Sequence, residues 1–494
     1  MNAQYKPNMM KHFLHQPLFA LFAVLAGLPE ANAQNDDHYW THQYGAKGLL
    51  LNGAVIASTE DETAVFYNPG ALGNGEDFGI SFSFLTPTYA VLKTDGYLGR
   101  NTQANDSRLG LASNLGAVGF RPFRSHRWRA AITSFSRYKS GLSLREREVG
   151  VVVNEPSQIF IGNLEFKRAV SERWFGAGMA YRLTDNLSIG ASQFFTFRSE
   201  STALSIQKEI VEKDNPYNLM LGWSSRFKYS LTAKGGMLTK IGLTANWGNV
   251  KLGATATTAT YRYFTKRASY DNADLRVYGR DSTVLLSNLT SAALPDYKTP
   301  WSIGLGADFR IGRTRVSLST EYFEHIPRYA VIDDKDDPFN GLANGNQAVE
   351  TLVQLENRSV LNFAIGAQTR LRNEQSSLIM GFRTDFNQRI IDQQQQSMSF
   401  LSTSPSVYHL SLGSLFSLNN NKLSVGLDYS FGKKLTTGRL VDLTNITPDN
   451  LFGFSETGTI QSKYRSVVFI FTYDFILKSW KDWRKRKNEE KGRG

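Results

Sequence analysis

Ser466-Val467-Val468-Phe469-Ile470-Phe471-Thr472-Tyr473-Asp474-Phe475 alternates with a period of two. Successive side chains of a β-strand point to opposite faces. Val467, Phe469, Phe471, Tyr473 and Phe475 therefore share one face, and Ser466, Val468, Ile470, Thr472 and Asp474 share the other. An aromatic and aliphatic face backed by one carrying Asp and Thr suits a wall between lipid and a wet or plugged lumen.

The same alternation recurs upstream. Trp301, Ile303, Leu305, Ala307 and Phe309 oppose Ser302, Gly304, Gly306, Asp308 and Arg310, and Leu423 to Phe431 repeats it. Further segments are Phe78 to Phe84, Leu111 to Phe120, Trp128 to Tyr138, Phe175 to Leu183, Leu187 to Phe197, Ile241 to Trp247, Val250 to Thr260, Val316 to Tyr322, Leu361 to Thr369, Leu378 to Phe386 and Tyr408 to Leu418, fourteen in all. Turn chemistry gives a second count. Short polar connections stand at 121–127, 184–186, 247–249, 311–313, 372–375 and 419–421, rich in residues that tolerate tight turns. Fourteen strands with both termini periplasmic need six short turns and seven outer loops. The longer stretches near 87–108, 140–156, 206–230, 265–299, 326–357, 387–406 and 433–463 supply the seven expected loops.

The expected fold is thus all-β, a 14-stranded antiparallel transmembrane β-barrel. Residues 1–33 read as a signal peptide, with Lys6 and Lys11, an apolar run from Leu18 to Leu28 and the small-residue site Ala31-Asn32-Ala33. That run is well short of the roughly 20 residues a spanning helix needs. The chain contains no cysteine, which removes disulfides and thiolate metal sites. Residues 34–75 form an expected N-terminal hatch, because Trp40 to Leu72 is rich in Gly and Ala and precedes every strand. Residues 76–475 form the barrel, and 476–494 a basic periplasmic tail. Part of the formal charge of +12 sits in that tail, where Trp480 and Trp483 lie among lysines and arginines, the pattern of an amphipathic segment on a membrane surface.

The chain resembles the FadL/TodX family of Gram-negative outer-membrane transporters of long-chain fatty acids and other hydrophobic molecules. The resemblance rests on Tyr44-Gly45-Ala46-Lys47-Gly48, Gly53-Ala54-Val55-Ile56-Ala57, Asp61 and Ala64 to Leu72, and on Phe175 to Leu183 running through Asp185-Asn186 into Leu187-Ser188-Ile189-Gly190. Trp301 to Phe309 makes a third block. The family's hatch usually ends Asn-Pro-Ala-Leu; here Asn68-Pro69-Gly70-Ala71-Leu72 has one more glycine. The resemblance implies a lumen closed by the hatch, capture of a hydrophobic ligand at outer loops, and lateral exit at an inward kink of the third strand. The Pro-Phe-Gly element that often precedes that kink has no counterpart in Ala131 to Gly141.

Candidate hatch and gating residues are Gly45, Gly48, Gly53, Asp61, Asn68, Pro69 and Gly70. Asn68-Pro69 is a turn initiator by local chemistry alone, because proline fixes φ and Asn bonds nearby backbone; its functional reading is an anchor that ligand arrival disturbs. Inward glycines recur along the strands, for example Gly190, Gly242, Gly253, Gly366 and Gly381, and they leave space that a packed hatch would fill. Arg129, Arg310, Arg370 and Arg383 are candidate carboxylate partners on the inward face, set against pairing with Asp308 or Asp385. Phe135 and Phe194 are the candidate apolar contacts for a ligand chain.

No metal site or cofactor is expected; the acidic run Asp333-Asp334-Lys335-Asp336-Asp337 lacks the spacing of a calcium loop. No Gly-x-Ser-x-Gly or His-Glu-x-x-His motif occurs, so an enzyme is not the expected class. The expected function is passive transport of hydrophobic molecules by a monomer in contact with outer-membrane lipid and lipopolysaccharide, with no nucleic acid partner. The alternative is the same fold serving protein secretion or surface attachment. A polar-solute porin and a soluble β-sandwich or propeller are the remaining competitors.

Overall fold

Fourteen antiparallel strands follow one another around a closed wall. The computed structural model describes residues 37–476 except 76–78, 84, 85, 97, 99–102, 113, 114, 124, 280, 281, 333–352, 373, 374, 391–404, 419, 420, 438–440, 445 and 453–457. The leader, the tail beyond 476 and the acidic run at 333–337 lie outside the described residues.

The strands are β1 (Gly79–Ser83 and Thr86–Asp95), β2 (Gln103–Ala112 and Leu115–Phe120), β3 (Trp128–Val152), β4 (Glu155–Arg182), β5 (Leu187–Glu212), β6 (Leu219–Asn246) and β7 (Val250–Thr257 and Thr265–Tyr278). The second half comprises β8 (Ser282–Ala293 and Ser302–Ile311), β9 (Thr314–Phe323 and Ile326–Ile332), β10 (Val353–Asn357 and Val360–Arg370), β11 (Ser376–Asp385), β12 (Val407–Leu418), β13 (Asn421–Thr437) and β14 (Thr459–Ile476). Each pairs with its sequence neighbours. The ring closes because β14 pairs with β13 on one edge and with both pieces of β1 on the other, placing Asp474 opposite Ser81 and Val467 opposite Tyr89.

The alternation read from the sequence sorts the two faces of this wall. Ile303, Leu305, Phe363, Ile365, Leu412 and Phe469 are exposed on the outside, while Ser302, Ser319, Asn362, Ser411, Ser466 and Thr472 are buried on the inside. So large a continuous apolar exterior is not the surface of a water-soluble monomer, but it is the belt of a membrane barrel. Aromatic pairs flank it, Trp128 with Tyr181 near the short turns and Trp301 with Tyr322 at the other end.

The short turns lie at one end, as the sequence predicts. Gly248 and Gly312 take φ of +75° and +60° in the turns after β6 and β8, where a side chain would be strained. The other end differs from expectation. The stretches 140–156 and 206–230, and much of 265–299, are not loops: β3 to β6 are 25, 28, 26 and 28 residues long, where about 9–11 would cross a bilayer. The hairpin between β3 and β4 turns at Val153-Asn154, with Asn154 at φ +65°.

These extensions stay paired because their inner face is still apolar. Phe160, Leu164, Phe166, Leu204, Ile206 and Trp223 pack against Val441, Leu443, Ile446 and Leu451 of the segment after β13. That segment is tied in by Leu443 N–H to Leu98 O (2.6 Å) and by Val153 N–H to Ile446 O (3.0 Å). Their outer face turns polar in step, from Phe175 to Arg173 and Ser171 on β4 and from Phe197 to Ser199 and Ser201 on β5. The membrane boundary therefore falls near Arg173 and Ser199. In a chain without native cysteine, Ser201→Cys should react on intact cells with an impermeant maleimide and Ala191→Cys should not; equal labelling of both would displace that boundary.

Candidate functional site

Residues 37–75 fill the lumen as a hatch. Its elements are α1 (Gly45–Leu50), α2 (Ala64–Tyr67) and a 3₁₀ turn at Pro69–Asn74. Helices this short cannot hold themselves together. What holds them is the wall, and above all a set of inward glycines. A Cβ on Gly190 would lie 2.3 Å from Pro69 O, and one on Gly242 would meet Asn68 Oδ1 and lie 2.8 Å from Gly70 N. Gly253 faces Ile56 O at 2.5 Å, Gly306 faces Ala57 N at 2.7 Å, Gly381 faces the Leu51 carbonyl carbon at 2.6 Å, and Gly413 and Gly426 both face Leu50. At Gly190, Gly253, Gly306 and Gly381 the wall meets hatch backbone directly, and at Gly413 and Gly426 it takes the Leu50 side chain.

Asn68 joins this contact to a hydrogen-bond hub. Its Nδ2 donates to Ile56 O (2.8 Å) within the hatch and to Leu243 O and Thr244 Oγ1 (both 3.0 Å) on β6, while Oδ1 accepts from Gly70 N–H (3.0 Å). Gly70 O accepts from Ser188 Oγ (2.6 Å), and Gly73 O from the Arg182 guanidinium. The sequence candidates at 68–70 are therefore brought together on β5 and β6. Gly45, Gly48 and Gly53 act inside the hatch: Gly45 and Gly53 take positive φ, and a Cβ on Gly48 would strike the Tyr67 hydroxyl, which accepts from Tyr44 N–H at 2.7 Å. Asp61 accepts from Thr63 N–H (3.0 Å) and from the Thr63 hydroxyl, a local turn.

The four sequence-predicted arginines are scattered. Arg383 is buried, donating to Asn52 Oδ1 (2.6 Å) and Thr41 O (3.1 Å), so it holds the hatch. Arg129 lines a small polar recess with Glu60, Asp61 and Glu62. Arg310 and Arg370 keep the inward parity of their strands but stand exposed at the rim, because both are the last or next-to-last strand residue before a short turn. None of the four reaches the internal cavity.

That cavity lies between the hatch (Tyr39, Phe66) and β3, β4, β6 and β9, with Arg137, Trp174, Lys240, Glu321 and Phe323 among its lining. Arg137 continues the inward run of Ala131, Thr133 and Phe135, and the β3–β4 ladder slips between Ser136 and Tyr138, so that Tyr138 and Ser140 face inward as well. Its Nη2 donates to Tyr39 O, and its guanidinium lies 5.5 Å from the Phe66 and Trp174 ring centres. Nη1 is buried with no hydrogen-bond partner. Lys240 sits 5.2 Å over Phe66 on the other side, and 3.9 Å from Glu321. Each such contact with an aromatic face contributes about 0.5–2 kcal/mol. Phe135 and Phe194 do come together here: Phe135 lies 4.5 Å from Tyr44 and 5.8 Å from Trp174, which is 5.4 Å from Phe194. Sequence reasoning missed Arg137 and Lys240. Both were visible by parity, Lys240 between inward Leu238 and Gly242 and Arg137 two residues after inward Phe135.

The free volume is about 70 Å³, room for roughly two waters at about 30 Å³ each and far below the ~300 Å³ of a small-ligand site.

No family model and no curated relative matches the chain. Solved structures do. A Pseudomonas aeruginosa FadL homologue is similar over 89% of this chain and all of its own, with 13% identity and a TM-score of 0.55. The Pseudomonas putida toluene transporter TodX is similar over 88% of this chain and 99% of its own, with 12% identity and a TM-score of 0.53. The fold is that of the FadL/TodX barrels. The first of these is described as a FadL homologue and the second as a toluene transporter, and what the chain shares with them is the architecture.

Two outcomes follow from the seating of the hatch. Gly242→Val puts a branched side chain against Asn68 and the Gly70 amide; overpacking of about 1–3 kcal/mol or more should lower the melting temperature or unseat the hatch. An unchanged melting temperature and unchanged protease resistance of residues 40–70 would contradict the contact. Glu60 bonds Lys251 and lies 3.5 Å from Lys47. Burial alone would raise its carboxyl, but Lys47 and Lys251 more than offset this and hold it at about 2. The clasp contributes fully above the ordinary carboxylate range and is lost as pH falls through about 2. Protease resistance of the hatch should thus persist at pH 3.5, whereas Glu60→Gln should weaken it at neutral pH.

Proposed function

We propose that this barrel is an outer-membrane passive channel for hydrophobic molecules, with long-chain fatty acids as the default ligand class. The observation that carries the reading is the aromatic cavity between hatch and wall with two cations, Arg137 and Lys240, at its edge. Apolar walls suit a hydrocarbon, and a guanidinium suits a carboxylate headgroup. The printed descriptions of the similar structures, a FadL homologue and a toluene transporter, support the class. In this reading the short turns and both termini face the periplasm, the paired extensions face outward, and the barrel works as a monomer in contact with lipid and lipopolysaccharide.

In this reading the ligand leaves laterally between β2 and β3. β2 pairs with β3 only from Leu115–Phe135 to Phe120–Ala130. Beyond Phe135, β3 carries the Arg137 bulge and has no ladder on its β2 edge among the described residues. A bulge thus stands where the family resemblance implies an inward kink, without the Pro-Phe-Gly element. Lateral exit there fits a ligand that partitions into lipid.

Mass spectrometry of the purified barrel should find retained alkyl or aromatic hydrophobes, and cells expressing it should take up labelled oleate. Arg137→Gln should weaken oleate binding about tenfold, which corresponds to roughly 1.4 kcal/mol, and leave toluene binding within twofold. Protein cargo co-isolating in place of hydrophobes, or large ion conductance by the intact protein, would overturn the reading.

A further inference from the structure

We propose that the outward face of β4, β6 and β7 binds the phosphate groups of a phosphorylated glycolipid of the outer leaflet. The inference rests on the membrane orientation given above. Exposed Phe175, Phe195, Phe197 and Phe264 form the upper edge of the apolar belt; Phe175 and Phe197 meet edge to face at 5.5 Å, and Phe195 and Phe264 stack at 6.5 Å. Four cations lie along that edge. Arg173 and Lys234 are the cross-strand neighbours of Phe197 on its two sides. Lys234 pairs with Thr265, two residues before Arg267, and Arg262 lies 5.6 Å over the Phe264 ring.

The bulge at Gly235, with φ +67°, brings Lys234 to the outer face. Without it, the alternation that places Ile241 and Leu243 outward would aim Lys234 into the lumen. The residues beyond the cations on the same face are neutral: Ser171, Ser199, Ser201, Ser230 and Thr232. The acid next above, Asp271, is 3.3 Å from Arg226. None of Arg173, Lys234, Arg262 and Arg267 has an ion-pair partner among the described residues.

Cations held against the hydrocarbon boundary with no counter-charge need an anion from outside the chain. Adjacent strands lie about 4.8 Å apart, so the backbones of Arg173 and Lys234 stand about 10 Å apart across Phe197. Phosphates seat in guanidinium forks, and acyl chains below them would lie on the phenylalanines. Four cations spread over that distance suit a head carrying two separated phosphates better than a single phosphodiester.

The test uses the full barrel, purified and delipidated, with diphosphoryl lipid A, enzymatically dephosphorylated lipid A and phosphatidylglycerol as probes, read by native mass spectrometry. The intact protein should retain diphosphoryl lipid A at least tenfold more tightly than either other lipid. The combined variant R173S/K234S/R262S/R267S should lose that preference, and K228S, on the same face further out, should keep it. Equal binding of dephosphorylated lipid A or phosphatidylglycerol by the intact protein would overturn the proposal even if the combined variant does not fold. So would undiminished binding of diphosphoryl lipid A by a folded combined variant. Oleate uptake, measured separately, should be unchanged in that variant, so loss of uptake in the parent would strike the transport reading and leave this one standing.

Discussion

Two backbones meeting without side chains between them is the constraint on which the rest of this structure depends. Glycine in a strand sacrifices packing and costs conformational entropy, yet the wall carries it at Gly190, Gly242, Gly253, Gly306 and Gly381 against hatch backbone, and at Gly366, Gly413 and Gly426 against the Leu51 and Leu50 side chains. Because the approach is so close, wall and hatch can exchange hydrogen bonds directly. Ser188, Ser319 and Ser411 reach Gly70 O, Ile56 N and Leu50 O at 2.6, 3.1 and 2.7 Å. A buried backbone group left unpaired costs about 1–3 kcal/mol, so these short serines matter as much as the glycines. A segment with almost no regular structure of its own becomes a fixed stopper because the cylinder supplies its partners.

The interior above the stopper is layered. The central apolar cluster joins hatch and wall through Tyr44, Phe66, Phe135 and Trp174. Next comes a charged layer in which Arg198 bridges Glu172 (3.0 Å) and Glu200 (2.6 Å), with Arg168 2.9 Å from Glu200. Beyond it the extended hairpins enclose a second apolar cluster around Trp223 and Leu443. Paired charges inside a barrel are costly to separate. The charged layer thus stands between the central apolar cluster and the one enclosed by the extended hairpins.

Much of this was legible from residue order. The period-two pattern located all fourteen strands, since lipid on one side and hatch on the other impose opposite chemistry on alternate residues. Five of the six short turns were legible through their Gly, Asn and Asp, and the sixth, at 121–127, through Pro122 and Ser125. The height of the wall was not. In Arg145-Glu146-Arg147-Glu148 charge falls on both faces, and inward Glu172, Arg198, Glu200 and Lys208 replace the apolar residues that mark a strand. The apolar partners that keep β4 and β5 paired come from residues 441–451, more than two hundred positions away. Site residues divided along the same line. Asn68 and the glycines follow local rules and were visible; Arg310 and Arg370 had the right parity at the wrong height; Arg137 had the inward parity of Phe135, and what residue order does not announce is the bulge after it, which turns Tyr138 inward too.

The most direct test of the central claim is electrical. Single-channel conductance in planar bilayers is compared for the intact barrel and for a chain lacking residues 40–70. If the amino-terminal segment is the stopper, the intact protein stays near baseline and the deletion opens a large, steady ion conductance. Indistinguishable traces from the two proteins, whether both silent or both open, would contradict it.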